Sequence, residues 1–319
     1  MLRRTVLTAL GAAVAAPAIV RADDWPNKQI KVVIPYPPAG PTDICTRIVM
    51  EKAGQLLGQP MLFDNKGGAS GMIGAAYAKT QPADGYNFLA TTVAMLAITR
   101  HLQPIPFDPD KDFLTIARTA TSWACFTIHP SVPANNMAEF VTYAKANADK
   151  MNYATSSATF QLVTELFKQK TGAPMQAIPY KSANEMVMAV VSGQVSATIA
   201  DAGPVSPQVK AGTVRALAVT SKNRLSDFPD VPTMKESGAD VDAIIWTGIF
   251  APKGTPAEIV RKLEAEFMKI AKLPDVATRL KAIGVDAVGT STEEFTNILK
   301  SDIARWRDVV KSSNIKIEN

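Results

Sequence analysis

Two histidines and two cysteines among 319 residues leave little from which to build a zinc site or a disulfide framework. No Gly-x-x-x-x-Gly-Lys loop occurs, which excludes a P-loop. Gly68, Gly71 and Gly74 are spaced wrongly for a dinucleotide site. Ser70 sits in Gly-Ala-Ser-Gly-Met, without the closing glycine of a nucleophile elbow. His101 and His129 each read as a turn or surface residue rather than a catalytic base. No cofactor and no metal are expected. Short-period repeats and low-complexity tracts are missing too. Beyond residue 22 no apolar run approaches the ~20 residues that span a bilayer.

What remains is ordinary globular composition, 47% hydrophobic and 20% charged, at a length of about two domains. The first 22 residues read as a cleaved export signal: Arg3 and Arg4, an apolar and small-residue stretch over 6–20, then Val20 and Ala22 at the −3 and −1 positions. The arginine pair resembles a twin-arginine signal, but no Ser or Thr precedes it, so either export route stays open. Cleavage after Ala22 leaves 297 residues carrying 31 basic and 29 acidic side chains, so the net charge falls from +5 to +2. The basic excess belongs mostly to the signal, and no nucleic-acid partner is expected. Cys45 and Cys125 could pair in an oxidising compartment, but one sits in an expected first helical turn and the other in an expected strand, and two buried free thiols are the favoured reading.

The rest reads as repeated strand–loop–helix units, which implies an α/β fold with mostly parallel sheets. Strands are expected over 29–35, 60–63, 86–92, 124–129, 152–155, 176–179, 196–200 and 215–220. Helices are expected from about 42, and over 72–79, 137–147, 159–170 and 184–191. Thr255-Pro-Ala-Glu258 and Ser291-Thr-Glu-Glu294 read as capping boxes. The second opens a helix whose Phe295, Leu299, Ile303, Trp306 and Val310 read as core. Ile128-His-Pro-Ser-Val-Pro133 and Phe250-Ala-Pro-Lys-Gly-Thr-Pro256 are similar strand exits and suggest two crossings between lobes.

Three small-residue loops precede helices, at residues 37–43, 67–72 and 155–159. Helix N-termini present unpaired N–H groups and the positive end of the helix dipole, so loops of this kind converging on a cleft would hold an anion without arginine.

These residues carry a resemblance. Pro35-Tyr-Pro-Pro-Ala-Gly-Pro-Thr-Asp43 resembles the signature of the Bug family, the periplasmic solute-binding receptors of tripartite tricarboxylate transporters. So do Asn65-Lys-Gly-Gly-Ala-Ser-Gly-Met-Ile-Gly74, Pro82-Ala-Asp-Gly-Tyr86, Ile178-Pro-Tyr-Lys181, Lys210-Ala-Gly-Thr-Val-Arg-Ala-Leu-Ala-Val-Thr220 and Asp230-Val-Pro-Thr233. The resemblance spans essentially the whole chain after the signal. It implies a two-lobed Venus-flytrap fold of the type II-like periplasmic-binding-protein kind, with two mixed sheets flanked by helices. Lobe one would comprise 23–121 and 246–319, and lobe two 122–245. It further implies a monomeric receptor for a small mono- or dicarboxylate, with the membrane subunits of such a transporter as partners.

By the same resemblance, backbone groups of the first two loops hold a carboxylate. They match here at Pro38, Ala39, Gly40, Thr42 and Asp43, next to Tyr36, and at Ala69, Ser70 and Gly71. Thr91 and Thr92 end the third strand, where the cleft is commonly lined. On lobe two Ser156, Ser157, Ala158, Thr159 and Asp201 match cleft positions, with Tyr180 nearby. Ala39 and Ser70 each replace a usual glycine, and Gln161 stands where a histidine is common. Ala39 is not expected to take a positive φ easily. Asp43 also reads simply as a first-turn charge. Asp201, beside an anion cleft, needs a donor: a ligand hydroxyl or ammonium, a protonated acid, or water. Two other readings stay open, a ligand sensor for a two-component system and an exported hydrolase using Ser70 or a carboxylate pair.

Overall fold

The computed structural model describes residues 25–225, 228–241 and 243–313. The expected export signal lies outside them. Eleven strands form two mixed sheets among the described residues. The strands are β1 (Ile30–Ile34), β2 (Met61–Asn65), β3 (Asn87–Thr92), β4 (Phe113–Ser122), β5 (Ala124–Ile128), β6 (Asn152–Thr155), β7 (Gln176–Pro179), β8 (Ala197–Asp201), β9 (Arg215–Val219), β10 (Ile245–Pro252) and β11 (Asp286–Ala287). The first sheet has the order β11-β4-β10-β3-β1-β2 and the second β7-β6-β8-β5-β9.

In the first sheet β1 runs parallel to β2 and β3, while β10 is antiparallel to β3 and β4. In the second, β6 is parallel to β7 and β8, while β5 is antiparallel to β8 and β9. The apolar run Val32-Val33-Ile34 within β1 follows from covering on both faces, since all three are buried.

Helices cover both sheets: α1 (Pro41–Leu57), α2 (Met72–Lys79), α3 (Thr99–Leu102), α4 (Pro109–Asp112), α5 (Met137–Ala146), α6 (Ala158–Thr171), α7 (Ala183–Val191), α8 (Ala202–Lys210), α9 (Ala257–Ile270), α10 (Pro274–Lys281) and α11 (Thr292–Ser313). A π-helical turn, Ala94–Ile98, follows β3. Most of the sequence-derived elements appear with ends shifted by a residue or so. The antiparallel arm is the main difference. β4, ten residues long with interspersed threonines, was not anticipated, because its apolar and polar residues follow neither strand alternation nor helical spacing. Its pairing with β10 stabilises it.

The chain crosses between the sheets twice, through Trp123 between β4 and β5, and between Val219 and Ile245. The two proline-rich strand exits are therefore not the crossings. Each lies at the far end of the strand that follows a crossing, where β5 and β10 give way to α5 and α9. Proline ends a strand there by withholding a ladder donor, whereas at the first crossing a single residue, Trp123, separates β4 from β5. The first capping box also differs. Thr255 Oγ1 donates to Pro252 O at 2.9 Å instead of capping α9. The second forms, with Glu294 N donating to Ser291 Oγ at 3.0 Å.

One apolar cluster runs from the first sheet (Val33, Leu89, Phe113) through Trp246, Phe295 and Trp306 to Phe126 of the second sheet and Phe140 and Phe167 of the helices covering it. A second fills the other face of the first sheet with Ile30, Val32, Ile48, Ile249, Leu263 and Phe267. Helix α11, which follows β11 of the first sheet, reaches across to α6, where Gln169 Nε2 donates to Ser313 Oγ at 3.0 Å. It is anchored by Trp246 Nε1 donating to Asp302 Oδ2 at 2.7 Å.

Candidate functional site

The exits of β1, β2 and β3 lie together at one end of the first sheet because the three strands are parallel neighbours. The exits of β6, β7 and β8 do the same in the second. The predicted site residues fall on these two ends.

On the first wall, the loop after β1 turns through Ala39, whose φ is 62°, and enters α1 at Gly40 with Pro41 in the first turn. Ala39 thus takes the positive φ that its side chain resists, and Ala69 (47°) and Ser70 (53°) do so in the second loop. Non-glycine residues held in this region cost roughly 1–2 kcal/mol each, so something must hold them there.

For Ala39 the holder is visible. Asp43, only 2% exposed, accepts from Ala39 N at 2.9 Å and from Arg47 Nε at 2.9 Å through Oδ2. Its Oδ1 accepts from Asn65 Nδ2 at 2.9 Å. Asn65 also donates to Tyr36 O and accepts from Arg47 Nη2. Burial pushes the Asp43 carboxyl up, but these donors outweigh it and hold it below its ordinary range. Asp43 is therefore turned into the protein and joins the two loops. Gly40 offers no side chain to cap α1, and Asp43 reaches past the helix to Ala39, so the first turn of α1 keeps its donors.

Beside this loop, Tyr36 Oη and Thr92 Oγ1 lie 3.0 Å apart. Burial pushes the Tyr36 phenol up, against hydrogen bonds that lower it, so it stays a neutral hydroxyl. Thr91 is fully buried, and its Oγ1 has no hydrogen bond of ordinary geometry. Pro38, Ala69 and Ser70 are exposed, and Gly71 is buried. The second loop is pressed against the first. A Cβ on Gly74 would lie 2.6 Å from Lys66 O and 2.7 Å from Pro35 Cα, so only glycine fits.

On the second wall, Ser157 caps α6 itself, its Oγ accepting from Phe160 N at 3.5 Å. This loop behaves as an ordinary capped strand–helix turn. Ser156 and Ala158 are half-buried and Thr159 is buried. Tyr180, half-buried, lies level with this loop because its N–H donates to Thr155 O at 2.7 Å. Asp201 ends β8, is half-buried, and its carboxylate has no hydrogen-bond or ion-pair partner among the described residues. Burial pushes its carboxyl up to about 6. Its charge in turn reaches Cys45 in α1, on the opposite wall.

Both cysteines are free and buried, and burial pushes each thiol up to about 12, so neither is a reactive thiolate. Both histidines are engaged away from Ser70: His101 Nε2 bonds Ile303 O and His129 Nδ1 bonds Ser131 Oγ. A cavity of about 480 Å³ lies elsewhere, among Arg118, Lys222, Trp246 and the α11 residues Glu294, Ser301 and Arg305. None of the predicted site residues lines it. Sequence reasoning missed Arg47 and Asn65 as site residues. Their signal was present, since Arg47 stands one helical turn after Asp43 and Asn65 opens the second loop motif.

Residues 45–315 match the model of the tripartite tricarboxylate transporter family receptor. The chain belongs to that family. It is 31% identical to Protein BugT of Bordetella pertussis over 312 residues, covering 96% of this chain and 95% of that one. Among solved structures it is similar to Rhodopseudomonas palustris Rpa4515 with adipate, at 32% identity, 92% and 99% coverage and a TM-score of 0.77. It is also similar to MatC from the same organism with bound malate, at 27% identity, 90% and 100% coverage and a TM-score of 0.72. This receptor thus has the two-lobed α/β architecture of the solute-binding members of its family. No helix among its described residues is long and apolar enough to cross a membrane.

Proposed function

We propose that this receptor works in the periplasm as a monomeric solute-binding protein that captures a small mono- or dicarboxylate for a tripartite tricarboxylate-type transporter, and that it is not an enzyme. Lobe one comprises 23–122 and 245–319 and lobe two 123–244, one residue inside the expected boundaries because Ser122 and Ile245 pair in the first sheet, and the ligand sits between the strand exits of the two. The carrying observation is the inward turn of Asp43. Its carboxylate is occupied by Ala39, Arg47 and Asn65, so the uncapped first turn of α1 is left to an incoming anion. The adipate and malate bound by two relatives support the carboxylate class.

The energetics suffice. Hydrogen bonds to a charged group contribute about 1.5–3 kcal/mol each. Micromolar affinity requires about −8.2 kcal/mol, so a few such bonds plus apolar burial cover it after association costs. Closure of the lobes would bury the ligand and present both to the membrane subunits. A thermal-shift screen of aliphatic, aromatic and amino acids at millimolar concentration tests this. Stabilisation by a carboxylate is expected, and a flat response to every acid would overturn the reading.

A further inference from the structure

Asp201 occupies an unusual place. The parallel pairing of β6 with β8 (Ala154 with Thr198) puts the exits of both strands at the same end of the sheet, so Asp201, which ends β8, lies on the side where Ser157 caps α6. On its other side Asp201 pairs with Ala124, the first residue after the crossing at Trp123. Two residues further on, Gly203 meets the first lobe: a Cβ on Gly284 would lie 3.1 Å from Gly203 Cα and N. Asp201 therefore sits between the α6 N-terminus and a point where the lobes touch, across from Cys45 of α1.

The carboxylate heads the N-terminus of α8 yet caps none of its N–H groups. Arg47 and Asn65, the donors nearest the first loop, are engaged with Asp43. Burial without a partner pushes the carboxyl up to about 6, which marks an uncompensated site rather than a structural ion pair.

We propose that Asp201 is the specificity-determining residue of the cleft, selecting carboxylates that carry a second hydrogen-bond donor, an ammonium before a hydroxyl. The inference rests on the carboxylate-receptor reading and narrows it. The ligand's carboxylate takes the uncapped end of α1, and its donor takes Asp201. An ammonium supplies both the hydrogen bond and the missing opposite charge. A hydroxyl supplies only the bond. An unsubstituted acid supplies neither and leaves Asp201 unpaired or facing a like charge.

The test is calorimetric titration of the full mature chain at pH 8 with three matched sets: succinate, malate and aspartate; glutarate, 2-hydroxyglutarate and glutamate; 4-methylpentanoate, 2-hydroxy-4-methylpentanoate and leucine. In the set that fits best, the amino acid is expected to bind at least tenfold tighter than the unsubstituted acid, with the hydroxy acid between. Asp201→Asn is expected to shrink that ratio below threefold. The comparison within the native chain stands even if the variant fails to fold. An unsubstituted acid binding as tightly as its amino counterpart, or a ratio unchanged in Asp201→Asn, would overturn the inference while leaving the receptor reading intact. No binding by any member of the three sets, together with a flat organic-acid screen, would overturn both. No binding here with a carboxylate hit in that screen would overturn this inference alone.

Discussion

Ala39 donates its backbone N–H to Asp43 Oδ2 at 2.9 Å, and this bond spans the loop that carries the chain from β1 into α1. It links a residue in the left-handed region to a buried carboxylate whose remaining capacity is taken by Arg47 and Asn65. The loop is thus held from the protein side, by a carboxylate that is itself buried.

Removing the carboxylate should release the loop. Asp43→Ala is expected to cost about 3 kcal/mol, from several charge-assisted bonds offset by solvation of the half-exposed Arg47. Ala39→Gly should stabilise the native chain by relieving the positive φ, and should gain less in the Asp43→Ala background, where the released loop no longer holds residue 39 there. Urea unfolding of the four proteins in the double-mutant cycle measures it. Strict additivity would show that Asp43 does not hold Ala39.

At Gly40, a Cβ would meet nothing closer than Pro37 O at 3.4 Å, an ordinary contact. Gly40→Val should therefore fold, with stability changed by less than about 1 kcal/mol. It should nevertheless weaken ligand binding by blocking approach to the α1 N-terminus. Circular dichroism checks the first outcome and ligand titration the second. Unchanged affinity in the folded variant would remove the first loop from the site.

Gly74→Ala should behave oppositely. Its methyl group would collide with Lys66 O and Pro35 Cα, both backbone atoms that move only with their loops. A loss of about 1–3 kcal/mol is expected, as for other overpacked sites. Thermal unfolding without ligand reads it directly.

Asp201 should leave a pH signature in the empty receptor. Its carboxyl ordinarily titrates at 3.8 and is raised to about 6 by burial, so the folded state holds this proton more tightly than the unfolded state. The favourable contribution is therefore complete below 3.8 and lost as pH rises through 6, at a cost on the order of 3 kcal/mol at neutral pH. Cys45, with its thiol near 12, stays neutral throughout that window. Asp201→Asn should raise the Tm of the empty protein at pH 8 and change it little at pH 4. An equal effect at both would show that Asp201 is charged and compensated in the fold.

The sequence alone determined the local grammar of this receptor. β-Branched runs such as 30–34, amphipathic spacing in α1 and the Ser291 cap are short-range properties, decided by each segment's own sterics and periodicity. The two loop motifs likewise named most of the residues that line the strand exits. Tertiary structure alone decided the partners. β4 is a strand because β10 lies beside it, and the two crossings exist only once strands have been dealt between two sheets. Ala39 takes a positive φ because Asp43, Arg47 and Asn65 converge from two loops. Asp43 and Asp201 look alike as written, one acid each at a strand–helix junction. Folding gives the first three donors and the second none among the described residues, and that difference depends on which distant atoms come within hydrogen-bond reach.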